Sequence, residues 1–327
     1  MTSKERVLCA LKLGKPDRVP FFETHIDRPV LTALFGEKLA SVRIHVAEQL
    51  GLDVIVFSML PPLCVHEEKL PDGRTYQTGG KLHTRDDLEA LDALKDPTDP
   101  ALYVELEEMA ARNKGKRAIL GRTRLGLSAM LMSMDLEGFS LASVDDPDLI
   151  VHILKRYSRW CSVAMQEMSR RGVDVILCAD DIAYHSGSMM SPAMFRELLL
   201  PCVMEAAHSI PLPWVYHSDG DLRPVLKDLL TLGMNGLHPI EPECMSLKEM
   251  KQQYGSKVCL VGNVSVDTLS RGSTEDIRNE VRRCMKDGAP GGGYMISSAN
   301  SIPDYAIPAN VLAMVDELKK LNTGYST

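Results

Sequence analysis

A histidine and an aspartate lie two residues apart in the segment YHSDG at positions 216–220. Alternate side chains of an extended strand point to the same side, so His217 and Asp219 are predicted to project together. Glu241, in the segment HPIEP, offers a further oxygen ligand at the end of the next predicted strand. A His, Asp and Glu set can hold a divalent ion with an open coordination position. An aspartate can equally orient a neutral histidine with no metal present, and the pattern leaves both interpretations open.

Eight short apolar or β-branched segments alternate with helical patterns along the chain, and these elements must position the polar side chains. The segments are 18–23, 53–57, 117–121, 173–180, 213–219, 235–241, 257–263 and 292–298. Most of them are apolar on both faces, as the buried strands of a parallel barrel must be. We therefore expect an α/β fold in which residues 1–327 form one (β/α)8 TIM barrel domain. A doubly wound open sheet is the alternative.

Helix signals mark several connections between the predicted strands. Thr2 and Glu5 have capping-box spacing at the start of an N-terminal helix. The clearest helix covers residues 146–172, because an Asp-Pro start is followed by apolar residues with a period of 3.6. Further helices are predicted over 192–202 and over 274–285, the latter with its first residue, a threonine, as the candidate cap.

An insertion is predicted after the second strand. Residues 58–116 contain a proline-rich turn, a hairpin pattern at 71–80 and a helical pattern at 101–115. This segment is longer than an ordinary connection between a strand and its helix.

Polar and ionisable residues follow the predicted strands, which is where a barrel of this type places its active site. These residues are Glu23, His25, Ser58, Arg122, Arg124, Asp180, Asp181, His217, Asp219, His238, Glu241, Asn263, Ser298 and Asn300. Asp, Ser and Asn at such junctions also serve as ordinary helix caps. Taken together, the histidines, carboxylates and arginines at one rim favour an enzyme over a binding or scaffold protein.

Two further candidates each have a structural alternative. Asp180 is predicted to act as a general acid or a substrate anchor, although paired carboxylates after a strand also cap turns. Met130 belongs to a methionine cluster beyond the third strand, where an apolar pocket for a flat ligand could form. Methionines of this kind are also common as adaptable core residues.

Charge and hydropathy limit the classes of partner and the location. The net charge is −7 and no block of five basic residues occurs, so nucleic acid is not expected as a partner. No apolar run reaches the ~18 residues of a membrane helix, and the N-terminus is polar, which predicts a cytoplasmic protein with no membrane partner. The eight cysteines are scattered without a CxxC pair, as is typical of reduced cysteines that pack in a core.

Five segments, in order along nearly the whole chain, resemble the uroporphyrinogen decarboxylase superfamily, within its branch of cobalamin-dependent methyltransferases. They are KERVLCALKLGKPDRVP (4–20), ADDIAYHSGSMMSPAMFRELLLP (179–201), YHSDGDLRPVLKDLLTLGMNGLHPIEP (216–242), GNVSVDTLSRGSTEDIRNEV (262–281) and GGGYMISSANSIPDYAIPANVLAMV (291–315). The resemblance implies the same barrel fold.

Departures from the family patterns indicate which members this chain resembles least. The decarboxylases carry an arginine-rich motif near the first strand, whereas FFETHIDRPVL (21–31) offers only Arg28 for a polycarboxylate tetrapyrrole. The thiol-methylating members bind zinc through a His-x-Cys motif, a Glu and a later Cys. Here His217 and Glu241 match, while Asp219 and Asn300 stand in place of the two cysteines. The harder donor set is better suited to an oxygen-bearing substrate than to a thiol.

The chain resembles most the substrate methyltransferases of anaerobic O-demethylase systems. That resemblance implies transfer of a methyl group from a phenyl methyl ether, such as guaiacol, vanillate or veratrole, to cob(I)alamin on a separate corrinoid protein. It implies that His217, Asp219 and Glu241 activate the ether oxygen, with zinc as a candidate ion, and that Asp180 and Asn300 orient the substrate.

The sequence also predicts which residues contact the substrate, and it leaves several other functions open. Glu23, His25, Arg122, Asn300 and Met130 are the candidate substrate contacts, and the cobalamin is expected to arrive on its partner because no DxHxxG motif is present. A homodimer is compatible with the sequence. The competing functions are a decarboxylase-type lyase that needs no cofactor, a methyltransferase with another donor or acceptor, and a ligand-binding paralogue without activity.

Overall fold

A curved sheet of seven parallel strands forms the centre of the computed structural model, which describes residues 1–40, 42–70, 73 and 75–325. The described residues form eleven strands in all, of which β2–β3 and β6–β7 are separate two-stranded hairpins. The strands are β1 (Val54–Ser58), β2 (Val65–Lys69), β3 (Thr75–Gly80), β4 (Ala118–Thr123), β5 (Val175–Ala179), β6 (Ala183–Tyr184), β7 (Gly187–Ser188), β8 (Trp214–His217), β9 (Gly236–His238), β10 (Cys259–Val261) and β11 (Tyr294–Met295). The order in the sheet is β1-β4-β5-β8-β9-β10-β11, so neighbours along the sheet follow chain order.

Helices pack around this sheet and against one end of the barrel. They are α1 (Ser3–Leu11), α2 (Arg28–Phe35), α3 (Glu37–Ala40), α4 (Arg43–Leu50), α5 (Val104–Asn113), α6 (Leu127–Asp145), α7 (Pro147–Arg170), α8 (Pro192–Met194), α9 (Leu200–His208), α10 (Leu226–Leu229), α11 (Leu247–Tyr254), α12 (Val266–Arg271), α13 (Thr274–Gly288) and α14 (Pro308–Thr323). Among the described residues, none of these helices has both the length and the apolar character that crossing a membrane requires.

The first predicted strand closes the barrel as a single bridge. Phe21 pairs in parallel with Ile296 beyond β11, and the Phe21 carbonyl accepts the N–H of Asp53 just before β1. Pro20 has no N–H to donate, which limits the ladder that this segment can form. The expected (β/α)8 barrel is confirmed, with seven regular strands and one short closing segment.

The N-terminal helix fills one end of the barrel. Val7, Ala10 and Leu11 of α1 belong to the same buried cluster as Val54 and Ala118, which begin two of the strands. The N-terminal ends of the strands are therefore sealed by apolar packing, and only the C-terminal ends are left to form a site.

Most of the predicted helices and the insertion are confirmed. The capping box of Thr2 and Glu5 starts α1, and α7 follows the predicted Asp-Pro start closely. The insertion lies between β1 and β4 and contains the antiparallel hairpin β2–β3, although positions 71, 72 and 74 of the predicted hairpin lie outside the described residues.

Two helix predictions need correction. Ser273, and not Thr274, caps α13, because the Ser273 hydroxyl accepts the N–H of Asp276 and Asp276 in turn bonds back to Ser273. The single helix expected over 192–202 is three consecutive pieces, since a π-helical turn (Phe195–Leu199) separates α8 from α9.

All eight cysteines are free, and six of them are buried. The expectation of reduced, packing cysteines is confirmed for those six. Cys9 and Cys244 are only partly buried.

A buried carboxylate joins the N-terminal helix to the barrel closure. Asp53 is fully buried, and its Oδ1 accepts hydrogen bonds from Arg6 of α1 at 2.7 Å and from Arg18 at 2.8 Å. Its Oδ2 accepts the N–H of Phe21 at 2.9 Å. One side chain therefore holds α1, the closing segment and the start of β1 together.

We expect Asp53→Asn to lower the free energy of unfolding by about 1.5–3 kcal/mol, because Arg6 and Arg18 each lose a charged hydrogen-bond acceptor, while Asp17 still pairs with Arg6. Urea denaturation followed by circular dichroism measures this loss. Asp92→Asn is the control, since Asp92 pairs with Arg156 on the surface and its loss should cost less than about 1 kcal/mol. Equal losses for the two variants would contradict this role of Asp53.

Candidate functional site

Side chains from four strand ends converge at the open end of the barrel. A cavity of about 110 Å³ there is lined by Thr24, His25, Arg122, Leu177, His217, Asn300 and Ser301. His217 ends β8 and Arg122 lies near the end of β4, so both point inward through the alternation of their strands. Four of the residues predicted from sequence, His25, Arg122, His217 and Asn300, thus share one cavity.

A pair of buried histidines forms the floor of this region. His217 and His238 are direct neighbours on β8 and β9, and their Nδ1 atoms lie 2.7 Å apart. The rings stack with centroids 4.9 Å apart. Burial lowers the pKa of both side chains, and the positive charge of Arg122 acts in the same direction, while the negative charges of Asp181 and Glu241 partly oppose the shift at His217. Both rings are therefore neutral at pH 7, and one Nδ1–H donates to the other Nδ1.

The free nitrogens of the pair have different surroundings. His217 Nε2 faces carboxylates, 3.6 Å from Asp181 Oδ1 and 3.9 Å from Asp219 Oδ1. His238 Nε2 is buried without a hydrogen-bond partner among the described residues. If His217 is to offer a lone pair at Nε2, it must carry its proton on Nδ1, and His238 Nδ1 must accept that proton's hydrogen bond.

Asp181, His217 and Asp219 form a cluster of possible metal ligands. One ligand atom from each lies within 4.8 Å of the other two. Asp181 also accepts the backbone N–H of Asp219, and Asn300 Nδ2 donates to Asp219 Oδ2. Asp219 Oδ1, by contrast, is buried with no hydrogen-bond partner among the described residues. A buried carboxylate oxygen is costly to leave unpaired, so this atom requires a proton, a cation or a substrate.

The electrostatics of Asp219 agree with that requirement. Burial raises the pKa of Asp219 to about 8, and the negative charges of Asp181 and Glu241 contribute in the same direction. At neutral pH the Asp219 carboxyl group therefore holds a proton unless a cation replaces it. The nitrogen and oxygen donors of the cluster fit a divalent ion such as Zn²⁺, which accepts His and carboxylate ligands.

Glu241 lies in a different group from the one predicted. Its Oε1 bonds His185 Nε2 at 2.8 Å, and its Oε2 accepts the N–H of Gly220 at 2.7 Å. Of the predicted metal set, the structure thus brings His217 and Asp219 together with Asp181, while Glu241 acts on them only as a nearby negative charge.

Three of the predicted residues lie away from the cavity. Asp180 is fully buried, and its oxygens accept the N–H groups of Leu125 and Ser128, so it fixes the start of α6. Met130 is fully buried in the outer core. Glu23 is buried against Ser298, whose N–H and hydroxyl both donate to it. Asp180 therefore caps a turn and Met130 packs in the core, which are the structural alternatives to a substrate contact for these two residues.

Sequence analysis placed two further residues of the site, Asp181 and His238, at the rim but assigned neither of them a role there. His238 follows a predicted strand, but only the register of β8 with β9 shows that it meets His217. Asp181 is adjacent to Asp180, and the sequence has no signal for which of the two turns toward His217. The strand-end pattern was the available signal for both.

Comparisons with known proteins identify the relatives of this chain. Residues 36–321 match the family described as uroporphyrinogen decarboxylase (URO-D). Methylcobamide:CoM methyltransferase MtaA of Methanosarcina barkeri is 29% identical over 165 residues, 49% of this chain and 48% of the relative. A uroporphyrinogen decarboxylase of Alkalilimnicola ehrlichii is 24% identical over 186 residues, 55% of this chain and 49% of the relative. The matched region thus spans about half the length of these curated relatives.

The fold is also found in a solved structure. A methyltransferase from Methanosarcina mazei superposes with a TM-score of 0.76 at 23% identity, covering 98% of this chain and 99% of that one. The likeness extends over essentially the whole barrel.

The buried Glu23 predicts a pH dependence of stability. Burial raises the pKa of Glu23 from its ordinary 4.5 to about 8, although the two hydrogen bonds from Ser298 oppose this shift. The folded state therefore binds this proton more tightly than the unfolded state, so the stabilisation is complete below about pH 4.5 and is lost as pH rises through about 8. We expect Glu23→Gln to be more resistant to urea than the wild type at pH 9, with the difference much smaller at pH 5. A difference that is independent of pH would contradict this ionisation.

Proposed function

The chain belongs to the uroporphyrinogen decarboxylase (URO-D) family, and within that family we propose that it is a corrinoid-dependent methyltransferase. Its substrate on this proposal is a phenyl methyl ether of the guaiacol, vanillate or veratrole type. The methyl group passes to cob(I)alamin on a separate corrinoid protein, and the phenol is released. The similarity to methyltransferases in sequence and in fold supports the reaction class.

One observation carries the choice of substrate: Asp181, His217 and Asp219 converge at the barrel mouth with only nitrogen and oxygen donors. The relative from Methanosarcina barkeri is named for a thiol, coenzyme M, and thiol chemistry favours a site with soft thiolate ligands. Carboxylate and imidazole groups suit activation of an ether oxygen. This donor set therefore favours an oxygen-bearing methyl donor.

The chemistry of an aryl ether explains why a proton is needed at the site. The bond between methyl carbon and oxygen breaks as the nucleophile attacks the carbon, and the phenolate is a poor leaving group. A proton delivered to the ether oxygen lowers that barrier. Asp219 Oδ1 is the candidate donor, because it holds a proton at neutral pH and has no protein partner among the described residues.

A metal ion fits the same residues. Bound by Asp181, His217 and Asp219, a divalent ion would supply Lewis-acid polarisation of the ether oxygen. His238 Nδ1 would then accept a hydrogen bond from His217 Nδ1–H and so keep the His217 proton on that nitrogen. Asn300 would orient Asp219 by donating to Asp219 Oδ2.

The geometry favours a small substrate over a tetrapyrrole. The cavity of about 110 Å³ is well below the roughly 300–1,000 Å³ of pockets for drug-sized ligands. Arg28 is exposed and paired with Glu37, and Arg122 is the only arginine among the residues that line the cavity. A polycarboxylate substrate would therefore meet few cations here, which argues against the decarboxylase alternative.

Anaerobic incubation of the protein with guaiacol and reduced cobalamin, free or on a cognate corrinoid protein, tests the proposal. We expect methylcobalamin in the cobalt spectrum and an equal amount of catechol. His217→Ala should abolish both products while circular dichroism stays unchanged, whereas His152→Ala, at an exposed position on α7, should retain full turnover. Wild-type turnover by His217→Ala would remove this site assignment. Metal analysis of the washed protein separates metal-assisted activation from acid catalysis alone.

The role of His238 generates a second prediction. His238→Phe keeps an aromatic ring but cannot accept the His217 Nδ1 hydrogen bond, so we expect methyl transfer to fall by about 10–100-fold, as for other residues that orient a ligand or a catalytic histidine. His238→Asn places an acceptor oxygen close to the former Nδ1 and should restore part of the rate. The comparison separates hydrogen bonding from packing, because packing alone would favour the phenylalanine variant.

A further inference from the structure

A second group of possible metal ligands lies on the barrel rim. His185, Glu241 and Cys244 each offer one ligand atom, and these three atoms all lie within 4.8 Å of one another. His185 Nε2 is 2.8 Å from Glu241 Oε1, and Cys244 Sγ is 3.7 Å from Glu241 Oε2. This group differs from the Asp181, His217 and Asp219 cluster because it contains a sulfur donor.

The backbone brings the three side chains together from two separate segments. The N–H of Cys244 donates to the Glu241 carbonyl, which forms a tight turn after β9. This turn places the Cys244 thiol beside the Glu241 carboxylate. His185 occupies the turn of the β6–β7 hairpin. Asp221 N–H donates to the Tyr184 carbonyl and fastens that hairpin to the loop after β8.

Gly220 makes this close approach of hairpin and loop possible. A Cβ at this position would lie 2.6 Å from the carbonyl carbon of Ala183 and 2.7 Å from its oxygen, and the φ of Gly220 is +85°. Gly220 N–H also donates to Glu241 Oε2. Gly220 therefore leaves room for the hairpin that carries His185, and its N–H orients the Glu241 carboxylate that His185 contacts.

The distances agree with tetrahedral coordination. Bonds of ~2.0–2.3 Å to a tetrahedral ion separate neighbouring ligand atoms by about 3.3–3.8 Å. The distance from Cys244 Sγ to Glu241 Oε2 lies in this range. His185 Nε2 contacts the other carboxylate oxygen, Oε1, and lies within 4.8 Å of the other two ligand atoms, so the His185 side chain must rotate to reach the same ion. His185 is largely exposed, so its side chain is free to make this adjustment. Glu241 Oε2 has a second lone pair besides the one that accepts Gly220 N–H.

The local charge also favours a cation. Asp221 and Glu243 face the Cys244 thiol in addition to Glu241, and Arg223 is the basic residue that interacts with it. Arg223 is already bound to Asp221 through two hydrogen bonds. The surroundings of the three ligand atoms thus carry excess negative charge.

We propose that His185, Glu241 and Cys244 bind a thiophilic divalent cation of the Zn²⁺ type at the rim of the barrel. The sulfur–metal bond replaces the S–H bond of Cys244, and the thiol proton leaves to solvent. Water occupies the fourth coordination position. The ion joins the β6–β7 hairpin to the loop after β9, so its effect is to hold two segments of the mouth together.

Cobalt(II) titration of the full-length protein tests this site without any measurement of activity. Co²⁺ replaces Zn²⁺ in tetrahedral sites, and a bond from sulfur to cobalt gives a charge-transfer band in the near ultraviolet. The Asp181, His217 and Asp219 cluster contains no sulfur, so binding there does not produce this band. We expect the wild-type protein, reduced and in thiol-free anaerobic buffer, to develop the band with a stoichiometry of one ion per chain.

Matched variants assign the band to these residues. Cys244→Ser should lose it, while Cys9→Ser, which changes the other partly buried thiol, should keep it. His185→Ala should weaken Co²⁺ binding at least ten-fold, and Asp219→Asn should leave the band unchanged. The proposal is overturned if the wild-type protein shows no band at saturating Co²⁺, or if the band survives in Cys244→Ser.

Discussion

The buried ion pair between Arg6 and Asp53 is the constraint on which the rest of the barrel depends. The closing segment around Phe21 is too short to form a full ladder, so backbone pairing alone secures it weakly. Asp53 adds a direct hydrogen bond to that segment and joins it to the N-terminal helix through Arg6. Arg6 also pairs with Asp17, and Asp53 also pairs with Arg18, so the two charges belong to one network of ion pairs at this end of the barrel. Closure in turn decides which strand ends face each other at the mouth.

The two ends of the barrel differ in how their interior is filled. At the N-terminal end, α1 supplies apolar side chains, and burial there stabilises the fold. At the C-terminal end the inward positions hold the half-buried Arg122 and the buried His217 and His238, whose loss of contact with water has a free-energy cost. The unpartnered atoms Asp219 Oδ1 and His238 Nε2 show that this cost is not fully offset within the described part of the chain. Polar groups left in this state are typical of sites that complete their contacts with a ligand.

Gly220 connects the two groups of ligands at the mouth. It follows Asp219 of the first group and donates its N–H to Glu241 of the second. Its positive φ turns the chain between them, and its missing side chain leaves room for the β6–β7 hairpin. The separation of Glu241 from His217 is therefore a consequence of the loop path, because the carboxylate is held by this amide and by His185.

The sequence alone determined the barrel and the central pair of the site. Alternating strand and helix patterns predict the fold because buried parallel strands must be apolar on both faces. The spacing of His217 and Asp219 predicts that they project together, since the period of a strand is two. The tertiary structure decided the rest. The pairing of His217 with His238 depends on the register of β8 with β9, and the choice of Asp181 over Asp180 depends on which carboxylate the backbone of α6 captures. Register and loop direction are set by barrel closure over long sequence separations, and no local pattern of residues encodes them.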